Sequence, residues 1–137
     1  MAWWAMSSAR LYVGDAQQSF ADAVHGRNLA MLSPHRFWWD LQHFASTMML
    51  GRIEDSRRIL KAIVAQRPEF RPPWRYLIAL NATIGEESAA RDASRALSSM
   101  EQDFSIRRLV DDRDYPASLI HKAPLLDLGR VAGLGEN

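Results

Sequence analysis

The chain has 137 residues, 47% of them apolar and 24% charged, with no cysteine and a formal net charge of +1. That length fits one domain with a buried core, and the composition is that of a folded chain rather than a disordered one. Near-neutral charge excludes an electrostatic drive toward nucleic acid or anionic lipid. The missing thiols exclude disulfides and thiolate metal sites, and no apolar run approaches the ~20 residues of a membrane span.

Alternating β-branched runs are absent, whereas Ala, Leu, Met, Arg and Glu dominate, so helices are predicted throughout. They fall at 2–13, 16–32, 36–50, 53–66, 72–84 and 87–101, with a terminal helical stretch within 105–132. The first carries Trp3, Trp4 and Met6 with no polar capping element ahead of it, and ends at Gly14. The second is predicted to be nearly a turn longer than its counterparts. Gly14 and Gly51 lie 37 residues apart, against 34 for Gly51 and Gly85, and the excess sits before Pro34. In the third, Phe37, Leu41, Phe44, Ala45, Met48 and Met49 form a helical stripe to face Ile53, Leu60, Ile63 and Val64 of the fourth. Ser33-Pro34 and Arg71-Pro72-Pro73 mark helix starts, because proline is tolerated where its missing N–H is not needed. Trp74, Leu77, Ile78 and Leu80 of the fifth are set to pack on Ala89, Ala90, Ala93 and Leu97 of the sixth. Beyond them, Phe104, Ile106, Leu109 and Val110 precede a leucine-rich tail that Pro124 should kink.

A period runs through these elements. Met49-Leu50-Gly51-Arg52-Ile53-Glu54-Asp55-Ser56 is echoed by Thr83-Ile84-Gly85-Glu86-Glu87-Ser88-Ala89-Ala90, and Phe70 and Phe104 are again 34 apart. Self-similarity in this range marks stacked two-helix repeats. The expected fold is all-α: a single domain, 1–137, coiled as a right-handed superhelix of three helical hairpins. Its repeat units are 2–34, 36–68 and 71–102, and 104–134 is the C-terminal cap over the last repeat.

These residues resemble tetratricopeptide-repeat proteins. More narrowly, they resemble the repeat region found toward the C-terminus of bacterial class III adenylate cyclases and related signalling proteins. The resemblance rests on Leu32-Ser33-Pro34, on Met49 to Ser56, on Gln66-Arg67-Pro68-Glu69-Phe70-Arg71-Pro72-Pro73-Trp74, and on Gly129-Arg130-Val131-Ala132-Gly133-Leu134. It departs from the family at Ser56, where alanine is favoured, and at Gln102, where proline is. It implies a protein-interaction or scaffolding module, the regulatory part of a cytoplasmic signalling protein, with any cyclase domain elsewhere on a longer parent. The competing class is homo-oligomerisation of such a parent, and a third is a small-ligand sensor using a groove between Trp38 and Arg75.

Candidate contact residues follow from the repeat alignment. Trp4, Ser8 and Leu11, then Trp38, Leu41, Ala45 and Met48, then Arg75, Ala79 and Ala82, would line the groove. Of these, Trp38, Leu41, Met48 and Arg75 are the candidates for binding a protein or peptide partner, since Trp, Met and Arg are favoured at interfaces. Arg75, next to Trp74, is expected to be exposed. The alternative for the aromatics and methionines is core packing. Lysine and asparagine are missing from the positions that would clamp a C-terminal carboxylate. Trp3 and Trp4 are the candidates for self-association, making a homodimer the second partner class.

Other constellations are weaker. Arg52, Arg57, Arg58, Lys61 and Arg67 form a basic run, but Glu54 and Asp55 are interleaved at pairing distance, so a solvated face is expected rather than a nucleic-acid site. His25, His35, His43 and His121 lack metal-ligand spacing, and no nucleophile elbow or phosphate-binding glycine loop occurs. No metal, cofactor or catalytic activity is expected on this chain.

Overall fold

The computed structural model describes residues 2–101. They form six helices: α1 Ala2–Val13, α2 Ala16–Leu29, α3 Arg36–Met49, α4 Ile53–Gln66, α5 Arg71–Thr83 and α6 Glu87–Met100. No strand occurs among the described residues, so the all-helical class holds there. The C-terminal cap at 104–134, its helix within 105–132 and Phe104 lie outside them.

Punctuation sets the helix ends. Gly14, Gly51 and Gly85 all have positive φ, 87°, 74° and 80°, a conformation that only glycine adopts without steric cost. Around each glycine the same hydrogen bonds recur. Asp15 N–H donates to Arg10 C=O, Arg52 to Thr47 and Glu86 to Asn81, while the glycine N–H groups donate to Leu11, Met48 and Ala82. This six-to-one and four-to-one closure satisfies carbonyls that a helix end leaves bare. A new helix begins two residues after each glycine. The residue five past each glycine (Ser19, Ser56 and Ala90) has no exposed surface at all. Small side chains there let the backbone of a neighbouring helix come close.

One boundary corrects the sequence reading. Helix α2 has 14 residues, no more than α4 or α6, and stops at Leu29 rather than continuing to residue 32. Ala30 N–H closes onto Gly26 C=O, Ser33 N–H onto Ala30 C=O, and Pro34 follows. Proline drives the preceding residue out of the α region, so the extra residues of this repeat lengthen the 30–35 connection instead of the helix. Arg71 opens α5 with prolines in its first turn, as predicted.

The chain falls into two compact units, 1–63 and 64–137, parted within α4. In the first, α1 packs on α2, α2 on α3, and α1 on α3. Leu11, Ala23, Phe44, Ala45, Leu60 and Ile63 are its buried apolar residues, but Ser7, Ser19, Asp22, Gln42, Ser46, Thr47 and Ser56 are buried among them. In the second unit α5 packs on α6, with Tyr76 to Leu80 buried along with Ala90, Ala93 and Leu97. That apolar seam matches the predicted one, apart from half-buried Trp74 and Ala89; the Trp74 indole donates to the Pro68 carbonyl at 2.8 Å. No helix among the described residues is long and apolar enough to cross a membrane.

Candidate functional site

Topology gathers three helix ends at one pole of the first unit. The tight Gly14-Asp15 link makes α1 and α2 antiparallel neighbours, and the 30–35 link does the same for α2 and α3. The start of α1, the end of α2 and the start of α3 therefore share one end. There Trp4, His35, Trp38 and Trp39 line a mostly apolar cleft of about 380 Å³. Trp4 and Trp38 are 34 residues apart. One turn further along both helices, Ser8 and Gln42 are also 34 apart, and the Ser8 hydroxyl donates to Gln42 Oε1 at 3.3 Å. Since i and i+4 share a helix face, Trp4-Ser8 on α1 and Trp38-Gln42 on α3 form two facing stripes.

Each wall is fixed by a neighbour. Gly26 of α2 is buried, and a Cβ built on it would overlap Cε3, Cζ3 and Cη2 of the Trp39 ring, so only glycine leaves the indole its seat. Phe37 and Trp38 stack at a tilt with centroids 5.4 Å apart. Asp40, one residue past Trp39, is nearly buried, pairs with Arg27 of α2, and lies 3.9 Å from Arg36. On the other side of α2, Arg10 pairs with buried Asp22, which also accepts from Gln18 Nε2 at 3.2 Å. At the pole itself, one carboxylate, Asp40, therefore answers two cations, Arg27 and Arg36.

The surrounding surface is apolar. Met6, Leu29, Met31 and Leu32 are exposed at the same pole, Leu32 to 97%, beside Trp4 at 39% and Trp38 at 43%. Among the described residues, the other exposed large apolar side chains are Tyr12 and Val13, at the opposite end of α1; residues 64–101 show none.

His43 lies behind the pole. Its ring meets Phe20 with centroids 5.2 Å apart, and Nδ1 is buried with no hydrogen bond, as is Gln42 Nε2. Burial holds the His43 pKa below its usual 6.5, the Arg27 charge lowers it further, and Asp40 opposes both. Arg52 stacks over the other partner of this contact, 5.1 Å from the Phe20 centroid.

The predicted contact residues separate accordingly. Trp4, assigned from sequence both to the groove and to self-association, and Trp38, assigned to the groove, form one cleft. Leu41 and Met48 are half-buried on α3, Ser8 is half-buried in its bond to Gln42, and Leu11, Ala45 and Ala79 are core residues. Trp3 belongs to α1, but its side chain lies outside those described. Arg75 requires a correction: its side chain is 12% exposed, and its guanidinium donates to both carboxylate oxygens of Glu101 at 2.8 and 2.9 Å. Arg71 reaches the same carboxylate at 3.2 Å. Glu101 follows α6 in an extended conformation that turns its side chain onto α5, so Arg75 is held against its own unit instead of facing solvent.

His35, Trp39 and Glu101 were not among the contact residues expected from sequence. For Glu101 a signal existed: Arg71 and Arg75 stand one turn apart with no acid on their own helix. The basic run behaves as predicted, with Arg57 4.0 Å from Glu54, Arg58 paired with Asp55, and Arg67 3.8 Å from Glu69. Among the described residues no three His, Asp or Glu side chains are grouped to hold a metal ion. With its few polar atoms, the cleft is suited to burying an apolar side chain. Compared with protein-family models, curated proteins and solved structures, the chain matches none.

Proposed function

We propose that this chain is a protein-interaction module of the tetratricopeptide type, and that its docking surface is the apolar pole of the first unit. The observation that carries this reading is the aromatic cleft of Trp4, Trp38 and Trp39 ringed by exposed Met6, Leu29, Met31 and Leu32. Exposed apolar groups gathered around a concavity are what a partner's side chains can bury against. Repeat architecture is supported by the recurring glycine closure at Gly14, Gly51 and Gly85 and by the contacts of α1 with both α2 and α3. A right-handed superhelix, a regulatory place in a cytoplasmic bacterial signalling protein, and attachment to a parent such as an adenylate cyclase complete the proposal. These rest on the resemblance of residues 32–34, 49–56 and 66–74. Homo-oligomerisation is the second reading, favoured by a protruding Leu32 next to the cleft.

The test is site-specific photo-cross-linking in the native host, with benzoylphenylalanine placed at Met6 or Leu29 and, as a control, at exposed Arg91. Discrete protein adducts from Met6 and Leu29 but not from Arg91 are expected. Absence of any protein adduct from the two pole positions would contradict the reading.

A further inference from the structure

The apolar pole carries a projection and a recess side by side. Leu32 is 97% exposed and stands three residues before His35, which lines the cleft. Met31 and Leu29 flank Leu32, both mostly exposed. A two-fold interface brings the same patch of two molecules together, so it needs a knob and a hole on one surface, offset from the axis. This pole has both. We propose that its occupant is a second copy of the chain, with Leu32 of each molecule seated among Trp4, Trp38 and Trp39 of the other; the inference rests on the docking surface proposed above.

Area and charge agree with this occupant. The six exposed apolar residues of the pole together present on the order of 700 Å² of accessible surface, against the ~800 Å² that each partner of a standard interface buries. The cleft, about 380 Å³, accommodates a leucine side chain with its neighbours. Both copies bring the same net charge to the interface, so a strong field of one sign at the pole would oppose pairing. Here Asp40 is shared between Arg27 and Arg36, and Asp22 is taken by Arg10, so these five groups leave one net positive charge per copy, a repulsion that salt screens. A heterologous knob-and-hole contact would instead build open chains, whereas the adjacency of Leu32 and His35 lets both contacts close in one pair.

The experiment is sedimentation equilibrium of the full chain from low micromolar to its highest soluble concentration. It is run beside Leu32→Asp, Trp38→Ala and the opposite-end control Tyr12→Asp, with circular dichroism reporting the fold. A species of twice the chain mass is expected, with Kd raised at least about 30-fold by Leu32→Asp and by Trp38→Ala but unchanged by Tyr12→Asp. If Trp38→Ala loses helicity, Leu32→Asp decides, because its side chain supports nothing within the monomer. A monomer at every concentration, a dimer indifferent to Leu32→Asp, or open-ended larger species would each overturn the proposal. A monomer that still yields discrete adducts with another protein from Met6 and Leu29 would overturn only the second copy, leaving the docking surface in place.

Discussion

The seams α1·α2 and α5·α6 have the same connection and opposite chemistry. Both hairpins turn on a positive-φ glycine two residues before the second helix. In α1·α2 the contact is made by Ser7 and Ser19: each hydroxyl donates to the other residue's carbonyl, at 2.9 and 2.8 Å, and Arg10 pairs with Asp22 beside them. In α5·α6 the corresponding space is filled by Tyr76, Leu77, Leu80, Ala90, Ala93 and Leu97. The first unit therefore uses directional bonds inside and displays apolar side chains at its pole, whereas residues 64–101 of the second bury their large apolar side chains. Hydrogen bonds exchanged against water add little net stability, while burial of hydrocarbon adds much. The difference teaches that the first hairpin is specified more than it is stabilised, and that its apolar surface is free for an interface.

Substitutions in the two seams test that contrast. The largest effect belongs to the apolar seam: Leu97→Ala should cost about 2–5 kcal/mol in urea unfolding, because the side chain is fully buried and a cavity remains. Next comes Gly26→Ala, at about 1–3 kcal/mol from overpacking against Trp39. It should also shift the tryptophan emission maximum, since the indole must move; unchanged emission and stability would remove Gly26 from the account.

The polar seam should respond differently from the apolar one. Ser7→Ala alone should cost about 1 kcal/mol, because it deletes one of two reciprocal bonds. Ser7→Ala with Ser19→Ala should cost about twice the single change, since each substitution deletes its own hydroxyl-to-carbonyl bond. A double variant as stable as the single would show that these bonds specify the seam without stabilising it.

The smallest effect is a pH slope. The folded-state pKa of His43 is lowered, so below about 6.5 the unfolded chain binds a proton that the folded one resists. Its contribution to stability is full above 6.5 and is lost as pH falls toward and through the lowered value. Urea midpoints measured across this range should fall with acidification, and His43→Gln should flatten the slope; an unaltered slope would place the titration elsewhere.

Much of the helical frame was legible because Gly14, Gly51, Gly85 and the proline pairs act locally, through backbone conformation alone. The length of α2 was not, since spacing counts residues without saying whether they extend a helix or a loop. The site was legible only in part. Trp4 and Trp38 could be named from the repeat alignment, but their joining depends on how α1 meets α3. Trp39 was hidden because its partner is the bare backbone of Gly26, thirteen residues earlier. Arg75 was misjudged because its partner is 26 residues away, past the end of the next helix.

The docking pole can be probed most directly by pulsed dipolar spectroscopy. The chain has no cysteine, so Asn28→Cys, exposed on the last turn of α2 beside Leu29, takes a single nitroxide. Pairing through the pole predicts a narrow intermolecular distance from this label and its loss in the Leu32→Asp background. No dipolar signal from Asn28→Cys, or one that Leu32→Asp leaves unchanged, would contradict pairing through the Trp4, Trp38 and Leu32 surface.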